Sequence, residues 1–164
     1  MSSKTWVLLI LWLFLIVGPV SGDIGDTITL TSSKVWVVAN TVDTATLTAH
    51  VTNLTSGNVP GVSVTFTVDN PVYGSVTSAT GVTDASGLAT TTFKTNKTSG
   101  TAILRATISS NQAVHSQLID HDSPYTVNFD YDGEIVVNET TPITATLTDK
   151  WGNRIDDRYT TENV

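Results

Sequence analysis

Three histidines, fifteen acidic residues and no cysteine bound the chemistry open to this sequence. Without cysteine there is no thiol nucleophile, thiolate zinc site, iron–sulfur cluster or disulfide. His50, His115 and His121 lie far apart along the chain, whereas a catalytic or metal-binding role needs side chains that converge. His50 alternates with Ala49 and Val51 and is expected to face solvent. Only His121 has acids beside it, in Asp120-His121-Asp122. Two carboxylates flanking an imidazole could hold a cation, and the competing expectation is a solvated linker. Asp130-Tyr131-Asp132-Gly133-Glu134 has the look of a calcium-loop opening but lacks the remaining spacing and the terminal bidentate Glu. Asp and Gly there predict a turn. No Gly-x-Ser-x-Gly elbow, phosphate loop or His-Glu-x-x-His run occurs. We therefore expect no catalytic residue, no cofactor and no enzyme activity in this chain.

Modification is the other chemistry the residue types permit. Asn53-Leu54-Thr55, Asn96-Lys97-Thr98 and Asn138-Glu139-Thr140 are acceptor sequons. Each falls in or beside a predicted turn, where a glycan could stand in solvent if the host glycosylates. Trp36, in the run Val35-Trp36-Val37-Val38, is expected to pack into a core rather than to stack on a ligand.

The elements that must position these residues read as strands. Thr and Val are abundant, and β-branched side chains suit a pleated, half-buried surface. Ala45, Leu47, Ala49 and Val51 share one face of an alternating run, and Val62, Val64, Phe66 and Val68 share another. Ala89, Thr91 and Phe93, and then Ala102, Leu104, Ala106 and Ile108, repeat the pattern. Gly, Pro, Asn and Asp clusters at 56–61, 69–71, 84–87 and 98–100 separate the runs. Strands are predicted near 26–31, 35–39, 44–53, 62–68, 74–78, 88–94, 101–108 and 113–119. One apolar and one polar face per strand, with no helical period after residue 22, predicts an all-β, immunoglobulin-like β-sandwich. The net charge of −7 argues against a nucleic-acid partner, because phosphate binding needs a basic patch.

The first residues follow a different plan. Lys4 precedes the apolar run Trp6–Val17, and Gly18-Pro19-Val20-Ser21-Gly22 closes it with small residues. This is the layout of a signal-peptide helix, with cleavage between Gly22 and Asp23. A membrane-spanning helix needs about 20 apolar residues, more than this run supplies; an uncleaved signal anchor is the alternative. Export to the cell surface or the extracellular space is expected. The membrane is involved only through this signal or through an anchor elsewhere.

The body of the chain contains a repeat. Leu47-Thr-Ala-His-Val-Thr-Asn53 is echoed by Ile143-Thr-Ala-Thr-Leu-Thr-Asp149, an offset of 143 − 47 = 96 residues. One sandwich module has about 100 residues, so the expected plan is a signal peptide over 1–22, one complete module over 23–121 and the front part of a second over 122–164. Two strands alone cannot bury a core, and the chain reads as a fragment of a tandem array.

These residues resemble the bacterial Ig-like group 1 (Big-1) domains of invasin- and intimin-type surface proteins. The likeness rests on Thr48–Asn53, then Gly57-Asn58-Val59-Pro60-Gly61-Val62, then Val64-Thr65-Phe66, with Thr83-Asp84-Ala85-Ser86-Gly87-Leu88-Ala89-Thr90 later. Thr148-Asp149-Lys150-Trp151-Gly152-Asn153 reopens the pattern. Asn53 departs from it where the family often has Asp, and one residue looks inserted before Gly57. The resemblance implies a non-catalytic structural or adhesive role as a stalk or spacer. Its partners would be neighbouring Ig-like modules of the same chain, and a cell-surface protein or glycan is a further candidate. The alternative is an accessory carbohydrate- or protein-binding module of a larger secreted enzyme, which an exposed aromatic platform would favour.

Overall fold

The computed structural model describes residues 26–156, apart from 110, 132 and 134–136. The signal segment and its Gly22/Asp23 junction lie outside the described residues. Among the described residues, eleven strands follow one another: β1 (Thr27–Ser32), β2 (Trp36–Val38), β3 (Thr44–Thr52), β4 (Ser63–Val68), β5 (Gly74–Val76), β6 (Thr80–Val82), β7 (Leu88–Thr95), β8 (Gly100–Thr107), β9 (Gln112–Asp120), β10 (Pro124–Tyr131) and β11 (Ile143–Asp149). The eight expected strands are all present, and β6 is an addition. It is a three-residue strand that pairs antiparallel with β4.

Two sheets make the sandwich. One has the order β1-β3-β7-β5 and the other β2-β9-β8-β4-β6. Neighbours run antiparallel except β2, which lies parallel to β9. The alternation read from the sequence selects the inner faces. Ala45, Leu47, Ala49 and Val51 of β3 and Ala89 and Phe93 of β7 meet Val64 and Phe66 of β4 and Ala102, Leu104 and Ala106 of β8, all buried. Register matches large residues to small ones: Phe93 sits opposite Ala45 and Phe66 opposite Ala106. Such interdigitation fills the space between sheets without overpacking. Each fully buried side chain of this size is worth about 1.5–3 kcal/mol, so the core can hold the fold without a disulfide.

Two details fix the chain's corners. At the Asp84–Gly87 turn, the Asp84 carboxylate accepts the N–H groups of Ser86 and Leu88. Gly87 has φ +72°, and a Cβ there would stand 2.6 Å from the Val51 carbonyl oxygen, so only glycine fits. In β9, Gln117 is fully buried, and its Nε2 donates to the Val35 and Leu118 carbonyls, tying the approach to β2 against β9.

Trp36 departs from expectation. It is 41% exposed, and Val37 and Ala39 fill the core in its place. With β2 only three residues long and paired to β9 on one side, the inward position falls to Val37 and alternation turns Trp36 outward.

β10 and β11 form a separate antiparallel pair. Val127 lies opposite Leu147, Phe129 opposite Ala145 and Tyr131 opposite Ile143, so the apolar residues share one face. That face is open among the described residues, with Phe129 70% and Ile143 59% exposed.

Candidate functional site

The loop after β11 brings the most polar chemistry together. Asp149 is 2% exposed and organises the loop from its first residue. Its Oδ1 accepts the N–H groups of Trp151 and Asn153 at 2.8 and 2.9 Å, and its Oδ2 accepts Asp122 N–H and Asn153 Nδ2 at 3.0 and 2.7 Å. Burial alone would raise this carboxyl's pKa, but the four donors outweigh it and hold it below the usual 3.8. Gly152, with φ +87°, makes the reversal.

The same loop follows β3, 96 residues earlier. Asn53 Oδ1 accepts the N–H groups of Thr55 and Gly57, as Asp149 does at the corresponding steps. Asn53 N–H donates to the Gly57 carbonyl, and Asp149 N–H to that of Asn153. The isolated bridges Thr52–Asn58 and Thr148–Arg154 keep the offset. Gly57 therefore corresponds to Asn153, and Ser56, with φ +62°, stands where the second loop has Gly152. The two loops have equal length, and Ser56 takes up the left-handed turn.

This correspondence exposes the difference that matters. Gly57 has no side chain, whereas Asn153 reaches the end of the sandwich. Asn153 Oδ1 accepts Ser99 N–H at 2.9 Å, and its Nδ2 donates to the Lys97 carbonyl at 2.8 Å. Beside it, Lys97 Nζ lies 4.4 Å from the centre of the Trp151 ring, with Lys150 Nζ at 5.1 Å, the geometry of cation–π attraction. The β7–β8 turn is thus held by the loop after β11.

His121 completes the joint. Its Nδ1 lies 2.8 Å from the Asp122 carbonyl oxygen and its Nε2 2.8 Å from that of Asp156. Asp120 Oδ1 accepts His121 N–H and stands 3.6 Å from Nε2. Burial opposes charge on the ring. The two carbonyls and the carboxylates of Asp120 and Asp156 outweigh that opposition and raise its pKa above 6.5.

Of the expected cation ligands, Asp120 and His121 come together and Asp122 does not. Asp122 Oδ1 accepts Ser123 N–H, and its Oδ2 pairs with Lys150 Nζ at 3.0 Å. Asp156 takes its place, with donor atoms of Asp120, His121 and Asp156 within 4.8 Å of one another. A metal-bound imidazole needs a deprotonated nitrogen aimed at the ion, and both ring nitrogens here face carbonyl oxygens. The donor set therefore suits a hydrogen-bonded cation of the protein's own better than a metal.

The other candidates are dispersed. His50, on β3, has Nε2 2.9 Å from Asn58 Oδ1, and His115 lies in the other sheet, opposite Leu104. Asn96 and Asn138 are exposed, whereas the half-buried Asn53 spends its amide oxygen on its own loop. Gly133 has φ +89°, consistent with a turn, although Asp132 and Glu134 lie outside the described residues. Asp149, Trp151, Asn153 and Asp156 were not singled out as site residues from the sequence. For Asn153 the 96-residue repeat is the available signal, because it sets Asn153 against Gly57; for Asp156 it offers none.

Comparison with known proteins fits this architecture. The family described as bacterial Ig-like domain (group 1) matches residues 27–120. The chain belongs to that family. This group 1 Ig-like chain is 31% identical over 138 residues to the inverse autotransporter adhesin YeeJ of Escherichia coli (strain K12), covering 79% of this chain and 6% of YeeJ. It thus spans only a small part of that curated relative's length. A C-terminal 282-residue fragment of intimin, solved in complex with the intimin-binding domain of the translocated intimin receptor, is 27% identical, with a TM-score of 0.50 over 63% of this chain and 35% of the fragment. Yersinia pseudotuberculosis InvD shares the fold at 22% identity, with a TM-score of 0.62 over 78% of this chain and 38% of InvD. The sandwich seen here is a bacterial Ig-like domain of group 1.

Proposed function

We propose that this chain is part of the shaft of an exported, non-catalytic surface adhesin, in which Ig-like modules stacked end to end space a binding region from the cell. The observation that carries this reading is the joint. The loop after β11 grips the far end of the sandwich through Asn153 and His121, a contact that sets direction from one module to the next. The likeness to YeeJ and to the intimin fragment supports the surface setting. In this reading residues 122–164 open a second module, and the open apolar face of β10 and β11 is covered by the strands that complete it. Neighbouring modules are then the first partners of the sandwich. Asn96 and Asn138 are the better-placed glycan acceptors.

The test is replacement of residues 26–120, within the full-length surface protein, by an unrelated sandwich of equal length. Host-cell adhesion retained at wild-type level supports a spacer. Adhesion lost while surface display persists would show that the module itself binds. Mass spectrometry of the displayed protein should find Asp23 as the first residue; Met1 retained on it would refute the cleaved signal.

A second reading, a binding module of a larger secreted protein, draws on the half-exposed Trp36 beside the exposed Val35. It predicts that Trp36→Ala abolishes glycan or protein capture by the sandwich.

A further inference from the structure

Among the described residues, His121 is a side chain whose hydrogen-bonding geometry specifies its own protonation state. Its two ring nitrogens each lie 2.8 Å from a carbonyl oxygen, that of Asp122 in the linker and that of Asp156 beyond β11. A carbonyl oxygen only accepts, so both nitrogens must donate, and a neutral imidazole has a single N–H. The arrangement is complete only for the imidazolium. In the neutral ring one nitrogen would point its lone pair at a carbonyl lone pair, and that contact would open.

We propose that the joint between the sandwich and the strand pair is a pH-responsive lock, closed while His121 carries both ring protons and released when Nε2 gives up its proton. The Nδ1 contact is local, to the next residue, and survives small movements of the linker. The Nε2 contact joins segments 35 positions apart, and it holds the loop after β11 against the end of β9. Release at Nε2 therefore loosens the joint while leaving both sandwich sheets intact.

The surrounding charges favour the locked state. On the sandwich side stands Asp120, 3% exposed, its carboxylate 3.6 Å from Nε2. In the linker is Asp122, paired to Lys150. From the loop come Asp149, whose carboxylate holds Asp122 N–H, and Asp156, whose carboxylate joins the cluster around the ring. Among the described residues, Lys150 is a cation on that side, and it is engaged with Asp122 and the Trp151 ring. Acids thus dominate the ring's surroundings among the described residues, and deprotonation removes the positive charge that faces Asp120 and Asp156. The sign follows: a histidine whose pKa is raised by its partners stabilises the joint below its ordinary value of 6.5, and that contribution is lost as pH rises through the raised value. The inference stands apart from the stalk reading, since it concerns the stiffness of the joint and not what the protein adheres to.

The absence of cysteine makes the test direct. Spin labels on Ser63→Cys in β4 and Thr144→Cys in β11 report the distance across the joint, and labels on Ser63→Cys and Ser86→Cys report the sandwich alone. Ring 15N shifts of His121 follow its protonation in the same exported chain. Expected are two ring protons and a narrow cross-joint distribution at acidic pH. The distribution should broaden about twofold as the ring titrates, with the control pair unchanged. His121→Gln, which has no charge and one donor group, should be broad throughout. A wild-type width constant across the ring's titration would overturn the lock, as would a singly protonated ring at a pH below 6.5 or broadening of the control pair. If the Gln variant does not fold, the wild-type titration decides alone.

Discussion

Asn153→Ala tests whether one side chain couples the loop after β11 to the sandwich. Asn153 makes two hydrogen bonds across the joint, from Ser99 N–H and to the Lys97 carbonyl, and a third inside its own loop to Asp149. A net contribution of about 1 kcal/mol for each crossing bond gives about 2 kcal/mol for the pair. At 1.4 kcal/mol per factor of ten, the open state becomes about 30-fold more populated. The Ser99 amide is the reporter, because its acceptor is the Asn153 side chain itself. In native-state hydrogen exchange followed by NMR, Ser99 should exchange about 30-fold faster in the variant, while the amides of Leu47 and Phe93 keep their protection as part of the sandwich. Asn153→Asp sharpens the test. It retains an acceptor for Ser99 but loses the donor to Lys97 and sets a second negative charge beside Asp149, so it should open the joint at least as far. Unchanged Ser99 exchange in both variants would refute the coupling.

The two equivalent loops should also differ in acid. The lowered pKa of Asp149 means that its contribution is present above the ordinary carboxylate value of 3.8 and is lost as pH falls below it; the amide shift of Trp151 should move in that window, whereas the Asn53 loop, held by an uncharged amide, should not. Asn53→Asp should transfer the acid transition to the first loop, read from the Thr55 amide. Phe93→Ala removes a fully buried ring and should destabilise the sandwich by about 3–5 kcal/mol, seen by calorimetry as a fall in Tm of roughly 15–30 °C. Phe129→Ala, on β10 and outside the sandwich core, should change the stability of the sandwich itself by less than about 0.5 kcal/mol.

Much of the sandwich was legible because strand alternation is local. Ala45 to Val51 and Ala102 to Ile108 name their buried face without reference to any partner. β6 was not legible: Thr80-Gly81-Val82 carries no pattern of its own, and it is a strand only because β4 offers it an edge. Trp36 was misplaced for a related reason. In a run of consecutive apolar residues, composition does not say which parity turns inward, and the pairing of β2 with β9 gave that place to Val37.

The site shows the same division more sharply. The sequence by itself determined that His121 sits among acids and that Asn53 and Asp149 open equivalent loops. It did so through neighbours in the chain and a period of 96 residues, both of which can be read along one dimension. Tertiary structure decided that Asp156 replaces Asp122 beside the ring, and that Asn153, where the first copy has glycine, closes on Lys97 and Ser99. Those contacts join residues 35 to 56 positions apart. Their partners are set by how the loop after β11 folds back on the end of the sandwich, a geometry that no local periodicity encodes.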